Sequence, residues 1–257
     1  MTVDLLRAYD DEVRAVSPEV GPGSTLDQDG PVFRTVGPDG AGMIEYRDLG
    51  GLQAAGLDAL IARQVAFFAA RGREFEWKTH AHDAPADLTA RLLAAGFDPA
   101  DRETVVVGLA APLAAAPRLP AGVRLREVTA EADLRRIADL SGLVYGGDHS
   151  RRVGRLAEEI AIGAVVVVAE AGPDLLCSGR IRFGPGRFGS LWGGATHPNW
   201  RGRGIYRALV AYRAQLAVQR GHEFLQVDCT EDSRPILERL GMSSVTTTTP
   251  YMWRPKP

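Results

Sequence analysis

Two arginines alternate with two glycines in Asn199-Trp200-Arg201-Gly202-Arg203-Gly204-Ile205-Tyr206, the clearest arrangement of groups able to do chemistry in this chain. Upstream, a strand-like run from Phe188 to Thr196 stops before Pro198. Downstream, Ile205, Leu209, Tyr212 and Leu216 recur at helical spacing, and Gly221 stands where that helix should end. A glycine loop between a strand and a helix N-terminus lets backbone N–H groups close around a phosphate, and the helix end adds roughly half a positive charge. The pattern predicts a pyrophosphate cradle. Arg-Gly-x-Gly alone also suits a solvated turn, so the surrounding elements decide.

Those elements are a strand at Phe224–Cys229, a helical run at Ser233–Leu240 closed by Gly241-Met242, and a last strand toward Trp253. With Thr196-His197-Pro198 and Arg201-Gly202-Arg203-Gly204 at these relative spacings, the stretch from about Leu119 to Pro255 resembles the GNAT superfamily of acetyl-CoA-dependent N-acetyltransferases. The chain departs from the family pattern at Tyr206, where a small residue is usual. The resemblance implies an α/β (α+β) fold with a mixed, mostly antiparallel sheet flanked by helices. It also implies acetyl-CoA as co-substrate without a metal, held at Ala195, Thr196, His197, Arg201, Gly202, Arg203, Gly204, Ile205, Tyr206 and Ser233. In such proteins the long strand splays from its neighbour and its backbone pairs with pantetheine, a role that Gly193 and Gly194 suit. By the same analogy, backbone N–H groups around Ala195–His197 stabilise the oxyanion.

Direct attack on a thioester needs a neutral amine and a proton for the departing thiolate. An amine of pKa near 10 is almost wholly protonated at neutral pH, so a base is worth about 10²–10⁴-fold. Asp228, at the end of its strand, is the candidate base, with His197 and the pair Asp148-His149 as alternatives. Asp148 and His149 also lie between two expected helices, on the acceptor side. Many family members place an acidic tyrosine where this chain has Leu237, which cannot donate. Ser233 is the nearest hydroxyl, although Ser before an apolar helical run is more usually an N-cap, which is the preferred reading. Tyr145 reads as packing and Cys229 as a core thiol, since no His-Asp arrangement accompanies it. His80-Ala81-His82 puts two imidazoles on one face of a strand, but no third metal ligand is identifiable.

At 257 residues, 45% apolar and 24% charged with a formal charge of −2, the chain reads as a globular protein that holds no nucleic acid by bulk charge. Met1–Arg7 lacks the basic start and apolar core of a signal peptide. The longest apolar run, Ala161–Ala169, is too short to span a bilayer. Two cysteines make no disulfide framework, so a cytoplasmic location is expected. The expected partners are a small-molecule or peptide amine and, as an open alternative, a second copy in a homodimer.

The halves echo each other. Arg71-Gly72-Arg73-Glu74-Phe75 matches Arg220-Gly221-His222-Glu223-Phe224 at four of five positions, and Leu92–Phe97 parallels Leu237–Met242. Strands follow at Glu103–Leu109 and Thr248–Arg254. This reads as a duplication. Carried back, the cradle falls on Leu52-Gln53-Ala54-Ala55, which has neither its arginine nor its glycines. Residues 1–115 are thus expected to be a degenerate domain of the same kind, Ala110–Pro120 a linker, and residues 116–257 the acetyl-CoA-binding domain. The loop Ser17–Gly42 shows no usable periodicity, and Thr129 is expected to cap a helix through Ser141. The leading reading is a transferase of an acetyl group to an amine. The alternative is a sensor or scaffold that binds acetyl-CoA without turnover. A nucleotide-phosphate binder is set aside because no Lys-Ser/Thr follows the glycines.

Overall fold

The computed structural model describes residues 3–255; the first two residues of the Met1–Arg7 stretch lie outside them. The chain divides into two compact units, one running to Val105 and resuming at Val245, the other spanning Val106–Ser244. The first unit contains α1 (Leu5–Tyr9), a π-helical turn (Asp10–Arg14), β1 (Thr25–Asp29), β2 (Val32–Val36), β3 (Gly42–Glu45) and α2 (Ala54–Ala69). It continues with β4 (Phe75–His80), α3 (Leu88–Ala94), β5 (Asp98–Pro99) and the start of β6 (Glu103–Leu109). The second unit takes the rest of β6, α4 (Ala110–Leu113), β7 (Arg124–Val128), α5 (Glu131–Tyr145), α6 (Arg152–Ala161), β8 (Val165–Ala171) and β9 (Asp174–Phe183). Then come β10 (Phe188–Thr196), α7 (Ile205–Gln219), β11 (Phe224–Cys229), α8 (Arg234–Arg239) and β12 (Ser243–Trp253), the last of which carries the chain back into the first unit.

Within the first unit the strand order is β1-β2-β3-β4-β12, with β3 and β4 parallel. In the second it is β6-β11-β10-β9-β8-β7, with β10 and β11 parallel and β7 to β10 antiparallel. Residue patterning accounts for these positions. Val165-Val166-Val167-Val168-Ala169 is a continuous apolar run, and Val166 to Ala169 are buried, as a strand covered on both faces requires. In β4, Phe75, Trp77 and Thr79 are buried while Glu76, Lys78 and His80 alternate with them. Phe68 of α2 stacks on Phe75 with ring centroids 4.2 Å apart. Gly42 must lack a side chain here, because a Cβ would stand 2.0 Å from the Phe68 ring.

The duplicated pattern is visible as β3-α2-β4-α3 and β10-α7-β11-α8. Gly72 and Gly221 end the long helices at φ 59° and 80°, and Gly96 and Gly241 the short ones at 87° and 99°. Each half's last strand completes the other unit's sheet, β6 beside β11 and β12 beside β4. Residues 106–115 and 245–255 therefore sit in other units than a contiguous division at residue 115 assigns them.

Three local expectations are corrected. The Ser17–Gly42 segment forms the β1-β2 hairpin and the start of β3; β1 is largely exposed, which left no apolar alternation to read. The Ala/Pro-rich segment begins with α4, whose Ala110 and Leu113 are buried. Thr129 does not cap α5, which starts at Glu131 after Ala130 without a side-chain cap.

Removing β6 should expose the β11 edge and its apolar face. Residues 119–257, which lack β6 and carry β12 without β4, are expected to aggregate. Residues 103–244 keep the sheet of the second unit and are expected to remain soluble. Size-exclusion chromatography and circular dichroism of the two fragments check this; a monomeric, fully folded 119–257 fragment contradicts it.

Candidate active site

Parallel pairing of β10 with β11 covers only Phe188–Ser190 against Phe224–Gln226, where Gln226 Nε2 also donates to Ser190 Oγ at 2.8 Å. Beyond Ser190 the strands part. On its other edge β10 pairs Trp192 with Arg180 and Ala195 with Ser178, so Gly193 and Gly194 together oppose Gly179 in a bulge. Gly193 has φ 62°, and a Cβ on Gly194 would approach the Tyr206 ring to 2.8 Å. Both glycines are required by the backbone and by the packing.

After β10, His197 caps a 3₁₀ turn at Pro198–Trp200 by accepting the Asn199 N–H on Nδ1 at 3.2 Å. Gly202 and Gly204 have φ 74° and 80°, and α7 begins at Ile205. Gly204 offers no side chain, and the first turn of α7 holds no acidic residue, so the protein itself caps none of these N–H groups with a side chain. They border a cavity of about 880 Å³ whose wall includes Arg201, Arg207, Arg239 and a single carboxylate, Asp232. An anion-binding helix terminus, three guanidinium groups and a channel between parted strands suit a long thin ligand carrying a diphosphate. The residues present fit acetyl-CoA.

Of the residues expected to hold it, Thr196, Arg201, Gly202, Gly204, Ile205, Tyr206 and Ser233 line this cavity. Ala195, His197 and Arg203 do not: Ala195 is buried, the His197 N–H donates to Leu176 O at 2.8 Å, and Arg203 stacks over Trp200 at 4.6 Å. With its N–H so engaged, His197 is not an oxyanion donor. Asp228 is half-buried on β11, outside the cavity wall, whereas Asp232 lies in it. Asp148 and His149 are also outside it. The Ser150 N–H and hydroxyl bind Asp148 at 2.8 and 3.0 Å and lower its pKa, and His149 Nε2 lies 2.9 Å from Gly146 O.

Ser233 does not cap α8. Its backbone is helical and its hydroxyl donates back to Thr230 O at 3.2 Å while facing the cavity. Leu237 is fully buried, and Cys229 is a core residue. The hydroxyl missed from sequence belongs to Tyr145, the last residue of α5. It lines the cavity and donates to Gly194 O at 2.6 Å, and burial raises its pKa. Its position at the end of an amphipathic helix gave no signal, because only the bulge makes Gly194 O available there. Tyr206 likewise packs against Gly194.

The first unit repeats the strand geometry and fills it. Parallel pairing of β3 with β4 covers Gly42–Ile44. Beyond it, Tyr46 Oη donates to Asp83 at 2.6 Å, the His80 N–H to the same carboxylate at 2.6 Å, and Arg14 Nη2 at 2.6 Å. Arg14 also contacts Asp10 and His82 Nε2, each at 2.9 Å. Side-chain exposure is 5% for Arg14 and 6% for Asp83, so this is a buried pair with several supporting hydrogen bonds. His80 lies 3.1 Å from the Tyr9 hydroxyl, and its pKa falls to about 2 through burial and then Arg14. The two imidazoles thus face Tyr9, Asp10 and an arginine, and no group of three or more candidate metal ligands occurs among the described residues.

Residues 134–242 match the family model for the acetyltransferase (GNAT) family. No curated protein matches the chain. Among solved structures, a GCN5-related N-acetyltransferase from Kribbella flavida superposes with TM-score 0.69 at 17% identity, over 100% of this chain and 97% of its own. A tandem GNAT protein from the clavulanic acid biosynthesis pathway gives 0.64 at 14% identity, over 98% and 88%. A GCN5-related N-acetyltransferase from Sphaerobacter thermophilus gives 0.61 at 15%, over 90% and 83%. At these identities the likeness establishes the fold: mixed, mostly antiparallel sheets flanked by helices. No helix among the described residues is long and apolar enough to cross a membrane.

His80 supplies a pH test of the filled unit. Its folded pKa lies below the unfolded value of 6.5, so its contribution is fully present above that value and is lost as pH falls below it. Chemical denaturation between pH 7 and 5 is expected to show stability falling with acidification, and His80→Gln to flatten the slope by up to about 1.4 kcal/mol per pH unit. Arg14→Met, which strands the Asp83 carboxylate, is expected to cost about 3–5 kcal/mol.

Proposed function

From the GNAT-family domain at residues 134–242, we propose that this protein transfers an acetyl group from acetyl-CoA to an amine of an acceptor, by direct attack in a ternary complex in the second unit. One observation carries the reading: an α7 N-terminus free of side-chain caps and the parted strands β10 and β11 border the same cavity. Gly202, Gly204 and the α7 N–H groups hold the pyrophosphate, with Arg201 and Arg207 beside it. Acetyl-CoA supplies an already activated thioester. The backbone of Gly194 and Thr196 faces the pantetheine arm, since Ala195 and His197 turn toward β9. Asp228 remains the candidate base, acting through water because it stands outside the cavity wall.

For the departing thiolate, Tyr145 takes precedence over Ser233. The Tyr145 hydroxyl stands at the bulge where the reacting carbonyl is drawn to β10, and its pKa, raised from the ordinary phenol value near 10, keeps it protonated at neutral pH. As the carbon–sulfur bond breaks, the electron pair stays on sulfur and the phenol proton neutralises it. Ser233 hydrogen-bonds its own loop further along the wall. The alternative, binding without turnover, draws on Leu237 standing where the family's usual tyrosine would be.

Turnover of acetyl-CoA with an amine panel, followed by release of free thiol, tests the reading; tight CoA binding with no turnover by any acceptor favours the sensor. Tyr145→Phe is expected to lower kcat by about 10² or more with little change in KM for acetyl-CoA. Ser233→Ala is expected to cost less than tenfold and, having no cap to lose, to leave Tm unchanged. A hundredfold loss in Ser233→Ala alone reverses the assignment. Calorimetric titration is expected to give one CoA site per chain, and Gly204→Glu to weaken it strongly, since a side chain at φ 80° is strained and acidic at a helix N-terminus. Two equivalent CoA sites in the intact chain contradict the filled first unit.

A further inference from the structure

Arg152 is held at odds with its surroundings. It is the first residue of α6, where the helix dipole disfavours a cation and no acidic residue offsets it. It is half-buried, and burial followed by the charge of Arg180 lowers its pKa. Arg180 shares the neighbourhood but is ion-paired with Glu159. Arg152 has no hydrogen-bond or ion-pair partner among the described residues. Its guanidinium nevertheless reaches the bulge: Nη1 lies 3.5 Å from where a Cβ of Gly193 would stand, and Tyr145 and Glu159 are its favourable electrostatic neighbours. An arginine costly to place, without a salt bridge of its own because the nearby Glu159 pairs with Arg180, is suited to receive an anion from outside.

We propose that Arg152 binds a carboxylate of the acceptor, so that the amine acetylated belongs to an amino acid or to another amine bearing a carboxylate; this rests on the acetyl-transfer reading above. A Cβ on Gly194 meets Tyr206 of α7, and one on Gly193 meets Arg180 and Arg152. The cavity with the α7 terminus thus takes acetyl-CoA, and the Arg152 side of the bulge takes the acceptor. Planar bidentate pairing fixes the carboxylate and orients the amine toward the thioester carbon. The two guanidinium groups also repel an ammonium, which favours the neutral amine that attack requires.

Matched acceptors test the idea in the intact chain: glycine against glycinamide, and β-alanine against its amide. The amides have the more acidic ammonium, so intrinsic reactivity favours them. Wild type is expected to reverse that order, with kcat/KM at least about tenfold higher for the acids. Arg152→Gln is expected to abolish the preference for the acids while leaving CoA affinity unchanged, and Arg152→Lys to retain part of it. Calorimetric binding of the same four amines to the CoA-bound protein supplies a readout independent of turnover. Arg152-dependent binding of the acids without turnover keeps the carboxylate site and sinks acetyl transfer. Turnover or binding that ignores the carboxylate, or a preference that survives Arg152→Gln, overturns the proposal.

Discussion

The separation of β10 from β11 after Ser190 is the constraint on which the second unit's site depends. Parallel strands normally hold each other along their length by evenly spaced hydrogen bonds. Here the bulge at Gly193-Gly194 bends β10 while its other edge stays paired to β9. Everything near the site is then referred to that bend. Tyr145 binds the carbonyl it exposes, Tyr206 packs under it, and Arg152 and Arg180 lie over it. The glycine loop that follows opens α7 onto the same space. A side chain at Gly194 would clash with the Tyr206 ring, and one at Gly193 with the Arg180 guanidinium.

The first unit shows the same strand arrangement put to a different end. There the strand ends are joined by Arg14, Tyr46 and Asp83, with His80 held neutral beside them. A buried pair of this kind owes its stability to its supporting hydrogen bonds more than to Coulomb attraction alone. The unit that fills its parted strands keeps a plain helix start at Gln53-Ala54, while the unit that leaves them open keeps the glycine loop.

Charge is distributed accordingly in the second unit. Arg126, Asp133 and Glu170 satisfy one another, as do Arg180 and Glu159. Arg213, fully buried on α7, donates from Nε and Nη1 to the carbonyls of Leu209 and Arg180.

Read alone, the residues determined a good deal. Glycine and proline punctuation located α2, α7, β4, β11 and the cradle, because φ above zero and helix ends are local properties that residue type controls. The duplication was legible for the same reason, since both copies use the same punctuation. The β1-β2 hairpin was not, because exposed strands carry no burial pattern. Sequence placed Asp228, Asp148 and His149 as candidates by proximity along the chain, and none of them lines the cavity. Tyr145 and Arg152 are separated from Gly193 and Gly194 by some forty residues and carry no motif. Their relation to the bulge exists only once α5 and α6 pack on the sheet. Likewise, that β6 and β12 complete opposite units follows from pairing between distant strands, which depends on tertiary packing and leaves no trace in local propensity.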